Sequence, residues 1–467
     1  MYSKYFNNFS GAIIPHAGIQ YAGSARSKIF ENLNENDKYI ENIIYLSALH
    51  NIDTNNKKIN VLEHHEIFND FLLDKTIYEI DNLSAGAKKE HSYEWVKMEL
   101  KHYFKNAKIL VLAPSLFSDL KQLATNIINW IEKQNTKTLI IATTDLTHYG
   151  DRFNNTNLLI NPIELNKWRY EEKLITNLLN NEIDYTNYEI MCGRFAVETF
   201  IYIAQHFKWN SKILDYYDSN SYQKNMIDRY SIDFNDNIKE FVSYIVIIYG
   251  DFDTDTNILP FEIAMLIGTI KNNIYMQLYD LNYDISLPKW CSIYKLRNGI
   301  FIGTEINNVT NSCYGNFEIE NNITNSFEKI INSSSKCLND SINRWKNPIT
   351  KENLNKCNIK IEILDKINNW EVYKSNTALE NFKLDGTYGM LLFLNNRNST
   401  VTYLPTVAEE NKNIWTIADY MNNLTIKGGG DVNDWLKNEN IMKLYRTSII
   451  KYNNIENKIM LKYNFIL

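Results

Sequence analysis

Five short runs in the first half of the chain are apolar at consecutive positions: GAIIP (11–15), NIIYLSAL (42–49), KILVLAP (108–114), TLIIATTD (138–145) and SYIVIIYG (243–250). A strand with one wet face alternates polar and apolar residues, whereas a strand buried on both faces does not, so these runs predict interior strands. Between them the apolar positions recur at helical spacing. In SDLKQLATNIINWIEKQ, for example, Leu120, Leu123, Ile127, Ile128 and Trp130 recur roughly at that spacing, and Ser118 is placed to cap the start. Strands alternating with helices predict an α/β fold, a parallel or mixed sheet flanked by helices on both faces.

The pattern changes after residue 250. The acidic stretch DFDTDTN (251–257) reads as a linker, which divides the chain into a domain over 1–250 and a second over 258–467. The second opens with an amphipathic helix, LPFEIAMLIGTIKNNIYMQL, whose Pro260 sits where a first-turn proline is tolerated. Runs such as IKIEIL, YGMLLFL and TVTYLP then mix with helices and Asn-rich loops, which predicts an α+β domain. A length of 467 residues accommodates two domains, each with its own core.

Composition narrows the function classes. The chain is 44% hydrophobic and 22% charged, values of a globular protein. Its net charge of −6 comes without basic blocks, so an extended nucleic-acid footprint is not favoured. The apolar runs fall far short of the roughly 20 residues that a membrane span needs. The start, MYSKYFNNFSG, lacks the apolar core of a signal peptide, and a cytoplasmic location is the expectation. Five cysteines without CxxC spacing do not form a disulfide framework or a structural zinc knot.

All eight histidines lie in the first half, between His16 and His206, and several follow predicted strands. His16 comes after AIIP, His50 after IIYLSAL, and Asp145 and His148 after TLIIAT. Ligands in open α/β sheets bind beyond the carboxyl ends of strands, where the loops converge, so these residues are expected to face one pocket. Cys192 precedes the helical run RFAVETFIYIAQHF, and a thiol at a helix start has its thiolate favoured by the dipole and free N–H groups. His64 and His65 read as part of a solvated segment, and His102 and His206 as helical residues. His91, in KEHSYEW, stays undecided on physical grounds. The glycine run in IKGGG (426–430) lacks the order of a phosphate-binding loop and reads as a helix stop.

The segments IIPHAGIQYAGSA, EHSYE, TTDLTHYG and CGR occur in the order and approximate spacing of the Memo family, which residues 10–250 resemble. That family is similar in fold to class III extradiol dioxygenases, which are non-haem iron enzymes. The resemblance implies that His16, His50 and Cys192 are metal ligands and that His91, Asp145 and His148 line the same cleft. Two departures stand out: LSALHNID replaces the usual Gly-Pro-Ser/Asn-His turn at His50, and WVKME replaces the His-Leu-Pro that usually follows EHSYE. The second half resembles the AMMECR-type domain through YLPTVAEEN, IKGGG and LYRTS. In place of that family's Leu-Arg-Gly-Cys-Ile-Gly-Thr signature the chain reads NGIFIGT (298–304), without the arginine and cysteine. In microbes AMMECR-type proteins accompany Memo proteins and a radical-SAM protein, which makes the latter an expected partner.

Two imidazoles and a thiolate leave coordination positions open, the condition for a catalytic metal. Thiolate ligation favours iron, copper or zinc over magnesium or calcium, and a set with Asp145 in place of Cys192 would be the two-His-one-carboxylate holder of Fe(II). Fe(II) is the expected metal, with copper and zinc as competitors. The reading is a metal-dependent, dioxygenase-like oxidoreductase acting on a small molecule or a modified residue, with Asp145, His148 and His91 in acid-base or supporting roles. The alternative is a non-catalytic module that binds metal or peptide.

Overall fold

A computed structural model describes residues 9–462, apart from 37–39, 51–56, 81–89, 135, 156–162, 185–189, 225–227, 232–238, 253–257, 284–286, 293–298, 308, 318–325, 366–369, 375–377, 438 and 457. Most of the expected linker, 253–257, therefore lies outside the described residues, as does Asn298 of NGIFIGT. The chain forms two compact units, residues 1–255 with 259–265 and 288–290, and residues 256–258 with 266–287 and 291–467.

In the first unit the order is β1 (Phe9–Ile14), α1 (Ile19–Asn36), β2 (Ile40–Leu46), β3 (Ile59–Glu63), β4 (Tyr78–Glu79), α2 (His91–Tyr103), β5 (Lys108–Ala113) and α3 (Leu120–Lys133). It continues with β6 (Lys137–Thr143), β7 (His148–Tyr149), α4 (Ile163–Leu179), α5 (Arg194–Phe207), β8 (Asn210–Asp218) and β9 (Phe241–Gly250). Four strands, in the order β5, β2, β6 and β1, pair in parallel. They include four of the doubly apolar runs, and the fifth, β9, pairs antiparallel with β1. Antiparallel neighbours extend this set, β3 on β5 and β8 and β7 on β9, and β4, parallel to β3, completes the nine-stranded mixed sheet. Fully buried Ile13, Ile14, Ile43, Ile44, Leu110, Val111 and Ile140 fill its centre. Burial of this kind contributes roughly 1.5–3 kcal/mol per large side chain. The fold is thus α/β, as the alternating pattern predicts.

The start of α3 differs from expectation in its cap. Asp119 accepts from the Gln122 backbone N–H, whereas Ser118 turns back to accept from Ser115 N at 3.0 Å. Both residues suit an N-cap, and the first orphan N–H groups of the helix go to the carboxylate.

The second unit holds most of α6 (Pro260–Leu278), then β10 (Ile300–Ile306), β11 (Val309–Asn316), α7 (Ser326–Arg344), β12 (Cys357–Leu364), β13 (Glu371–Lys374) and α8 (Ala378–Asn381). After these come β14 (Gly389–Leu394), β15 (Ser399–Tyr403), α9 (Pro405–Asn411), α10 (Ile417–Lys427), β16 (Ile441–Tyr445), β17 (Thr447–Asn453) and β18 (Lys458–Lys462). They form two antiparallel sheets, ordered β11-β10-β12-β17-β18 and β13-β16-β14-β15. Met390, Leu392 and Met442 of the smaller sheet pack with Tyr420, Met421 and Leu424 of α10 in one core. The glycine run ends α10 as its sequence predicts. Gly428 and Gly430 return N–H bonds to Leu424 and Thr425, and Gly429 takes φ +80°, a conformation that glycine adopts without strain. Among the described residues no helix is long and apolar enough to cross a membrane.

Candidate metal centre

The residues following β1, β2 and β6 meet beyond the carboxyl ends of these central strands, as expected of loops beyond parallel strands. His16 follows β1 by two residues and is buried. Its Nδ1 lies 3.1 Å from Thr143 Oγ1, and that hydroxyl donates to the Ile14 carbonyl, so Nδ1 carries the proton and Nε2 is left bare. Nε2 points at Cys192 Sγ, 3.3 Å away. Burial drives the His16 pKa well below its ordinary value, with the neighbouring His50 and His91 adding to the effect, and keeps the imidazole neutral.

His50 is held by Glu90. One carboxylate oxygen accepts from its backbone N–H at 2.8 Å and the other lies 2.8 Å from Nδ1. This again leaves Nε2 as the free nitrogen. The same Glu90 caps α2 by accepting from Ser92 N. Burial pushes Glu90 up, but the hydrogen bonds from the His50 ring and from the Ser92 and His50 backbones outweigh it and hold the acid at about 2. Its contribution to stability is therefore present above pH 4.5 and lost only as pH falls toward 2.

Cys192 enters from the loop before α5. Gly193 next to it admits no side chain, since a Cβ would lie 1.9 Å from the Thr143 carbonyl oxygen. This close approach sets the sulfur beside the end of β6, where Asp145 N donates to Sγ at 3.2 Å. The expected thiolate preference is opposed by the surroundings of the sulfur. α5 begins two residues later, and burial, with the Asp145 charge, pushes the thiol up. A cation, rather than the helix start, would have to stabilise the thiolate.

Ligand atoms of His16, His50 and Cys192 lie within 4.8 Å of one another, a fit to a single ion. Two further sets meet the same limit: His50 with Glu90 and His91, and Asp145 with His148 and Cys192. Asp145 Oδ1 accepts from His16 N at 2.9 Å and from Ala17 N at 3.4 Å, and Oδ2 stands 3.6 Å from His16 Nε2. Burial raises its pKa. His148 donates from Nδ1 to the Leu146 carbonyl at 2.8 Å, and burial lowers its pKa. His91 stacks on His50 with centroids 4.2 Å apart, and Trp95 lies 4.7 Å beyond it. All six residues singled out in the sequence thus gather here, while His206 pairs with Glu132 on the surface.

Glu90, Thr143 and Arg26 were not foreseen. Glu90 had a signal, an acid placed just before His91 and an amphipathic run, in the position of an N-cap. Arg26 had none, being one of two basic residues in α1, with Lys28. It is fully buried and ties down the His16 loop, bonding the carbonyls of Pro15 at 3.2 Å and Ala17 at 2.8 Å and the Glu99 carboxylate at 2.6 Å. Replacement Glu90→Gln is expected to weaken metal binding about 10- to 100-fold, because the neutral amide no longer fixes the His50 tautomer with a charged acceptor. Chelator competition on the two proteins measures this.

Residues 2–229 match the family described as Memo-like protein. Residues 270–450 match AMMECR1. No curated protein matches the chain. Among solved structures, an uncharacterized protein from Pyrococcus horikoshii is 17% identical with a TM-score of 0.35, over 42% of this chain and 94% of that one. Another, from Escherichia coli K12, is 10% identical with a TM-score of 0.30, over 51% of this chain and 99% of its own. Two family models thus divide the chain, Memo-like protein over the residues that hold the strand-end histidines and AMMECR1 over most of the antiparallel second unit.

Proposed function

We propose that the Memo-like unit is a metal-dependent, dioxygenase-like oxidoreductase whose ion is held by His16, His50 and Cys192, with Fe(II) as the working metal. The observation that carries this reading is the convergence of two imidazole nitrogens and one sulfur within 4.8 Å. Asp145, by contrast, belongs to a set with only one histidine, which favours the thiolate over the carboxylate as third ligand. An Fe(II) ion held by these residues with open positions would supply redox chemistry with dioxygen beside a substrate.

The chain's own residues do the rest. Thr143 and Glu90 fix both ring tautomers, so the two Nε2 lone pairs are presented without reorganisation. His91 and His148, lowered by burial, are neutral near pH 7 and can accept a proton from a substrate hydroxyl. Buried Asp145 holds the His16 loop through its backbone and stands ready to take up a proton. The half-exposed His91 and exposed Trp95 form an open aromatic side on which a small molecule can rest.

Oxygen uptake tests the reading. Protein loaded anaerobically with Fe(II) and supplied with a protein-free small-molecule extract should consume oxygen above the Cys192→Ser variant treated alike. Equal uptake by the two would end the oxidoreductase reading in favour of a binding module.

A further inference from the structure

The second unit contains a cavity of about 910 Å³ that the metal chemistry does not involve. It is within the size range of small-molecule sites. Phe301, Trp345, Tyr403, Leu404 and Val407 give it apolar and aromatic walls, and four cations line it: Arg344, Lys360, Lys427 and Lys451. Those cations are not equivalent. Lys451 pairs with Glu305 at 2.5 Å, and Arg344 with Asp340 at 3.3 Å.

Lys360, with 9% of its side chain exposed, stands among Glu362, Glu410 and Glu305 at 3.5, 3.8 and 3.9 Å. Among the described residues it donates to Thr406 Oγ1, at 3.3 Å. Its three donors thus face one hydroxyl and three carboxylates, so this lysine is already paired inside the protein. Lys427 has no carboxylate within 4.0 Å among the described residues. It donates to the Thr402 carbonyl at 2.8 Å and sits 4.8 Å from the Tyr403 ring centroid. The cavity therefore combines a cation without a carboxylate partner among the described residues, set beside an aromatic face, with an apolar wall.

We propose that this cavity binds a small amphipathic carboxylic acid. Its carboxylate meets Lys427, and its apolar or aromatic body lies against Tyr403 and Trp345. A monoanion fits better than a phosphate dianion, because Glu305, Glu362 and Glu410 crowd the same space and would repel a second negative charge.

The test uses the full-length protein and calorimetric titration with 3-phenylpropionate, indole-3-acetate and 4-methylpentanoate, each against its amide of the same shape. At least one acid should bind saturably, and at least about tenfold more tightly than its amide, the usual yield of a charge-assisted hydrogen bond. Lys427→Met should weaken that acid at least about tenfold, leave the amide and the melting temperature unchanged, and be rescued by Lys427→Arg. Equal binding of acid and amide, unchanged acid binding by Lys427→Met, or no saturable binding of any acid would overturn the proposal.

Discussion

Protein purified without oxygen and carrying Cys192→Ser or His16→Ala is expected to hold less than about a tenth of the metal that the wild type holds. Losing a residue that only orients a ligand costs about 10- to 100-fold in affinity, and losing the ligand itself costs at least as much. The two substitutions act differently. Serine at 192 keeps the size of the side chain and Gly193's close approach to Thr143 but gives up the soft donor that selects against magnesium and calcium. Alanine at 16 removes a buried imidazole and leaves the Thr143 hydroxyl without its donor. Metal should raise the melting temperature of the wild type, because an ion that binds only the folded chain stabilises it by mass action, and should leave the Cys192→Ser variant unmoved. Elemental analysis beside thermal melts measures both effects.

The largest effect on stability is expected from Arg26→Ala, a loss of about 3–5 kcal/mol, because truncating one member of a buried ion pair leaves the other charge uncompensated. Burial already pushes Glu99 upward, and the Arg26 charge and hydrogen bond oppose that push. Without Arg26 the Glu99 pKa rises further in the folded state than in the unfolded chain. The folded variant then binds more protons than the unfolded one, so its stability falls as pH rises through the folded pKa. The deficit against wild type should be smaller at pH 5 than at pH 8, as read from denaturant melts at each pH. Changing both partners, Arg26→Met with Glu99→Leu, should recover much of the loss. The carbonyls of Pro15 and Ala17 keep the recovery incomplete, since they still lack their donor.

The sheet's centre could be read from sequence because parallel strands buried on both faces cannot alternate, and four such runs became β1, β2, β5 and β6, with β9 beside them. Its margins could not. β8 mixes Asn210, Ser211, Lys212, Asp215 and Asp218 with its apolar residues, and β3, β4 and β7 are short, so their pairing is decided by neighbours far away in the chain. The site shows the same division. Histidines and an aspartate beyond strand ends stand out locally, since strand termini are where loops converge. Glu90 and Arg26 matter through partners 40 and 73 residues away, respectively, which periodicity does not encode. The thiol of Cys192 went against expectation for a related reason: a helix start favours a thiolate only when the surroundings do not desolvate it, and here burial dominates.

The central claim is that two imidazoles and one sulfur from separate loops share one ion. Anomalous diffraction from crystals of the metal-loaded chain, collected above and below the iron edge, tests it most directly. The account predicts a single iron peak within bonding distance of His16 Nε2, His50 Nε2 and Cys192 Sγ. A peak elsewhere, or one beyond these strand ends that those three atoms do not ligate, would contradict it.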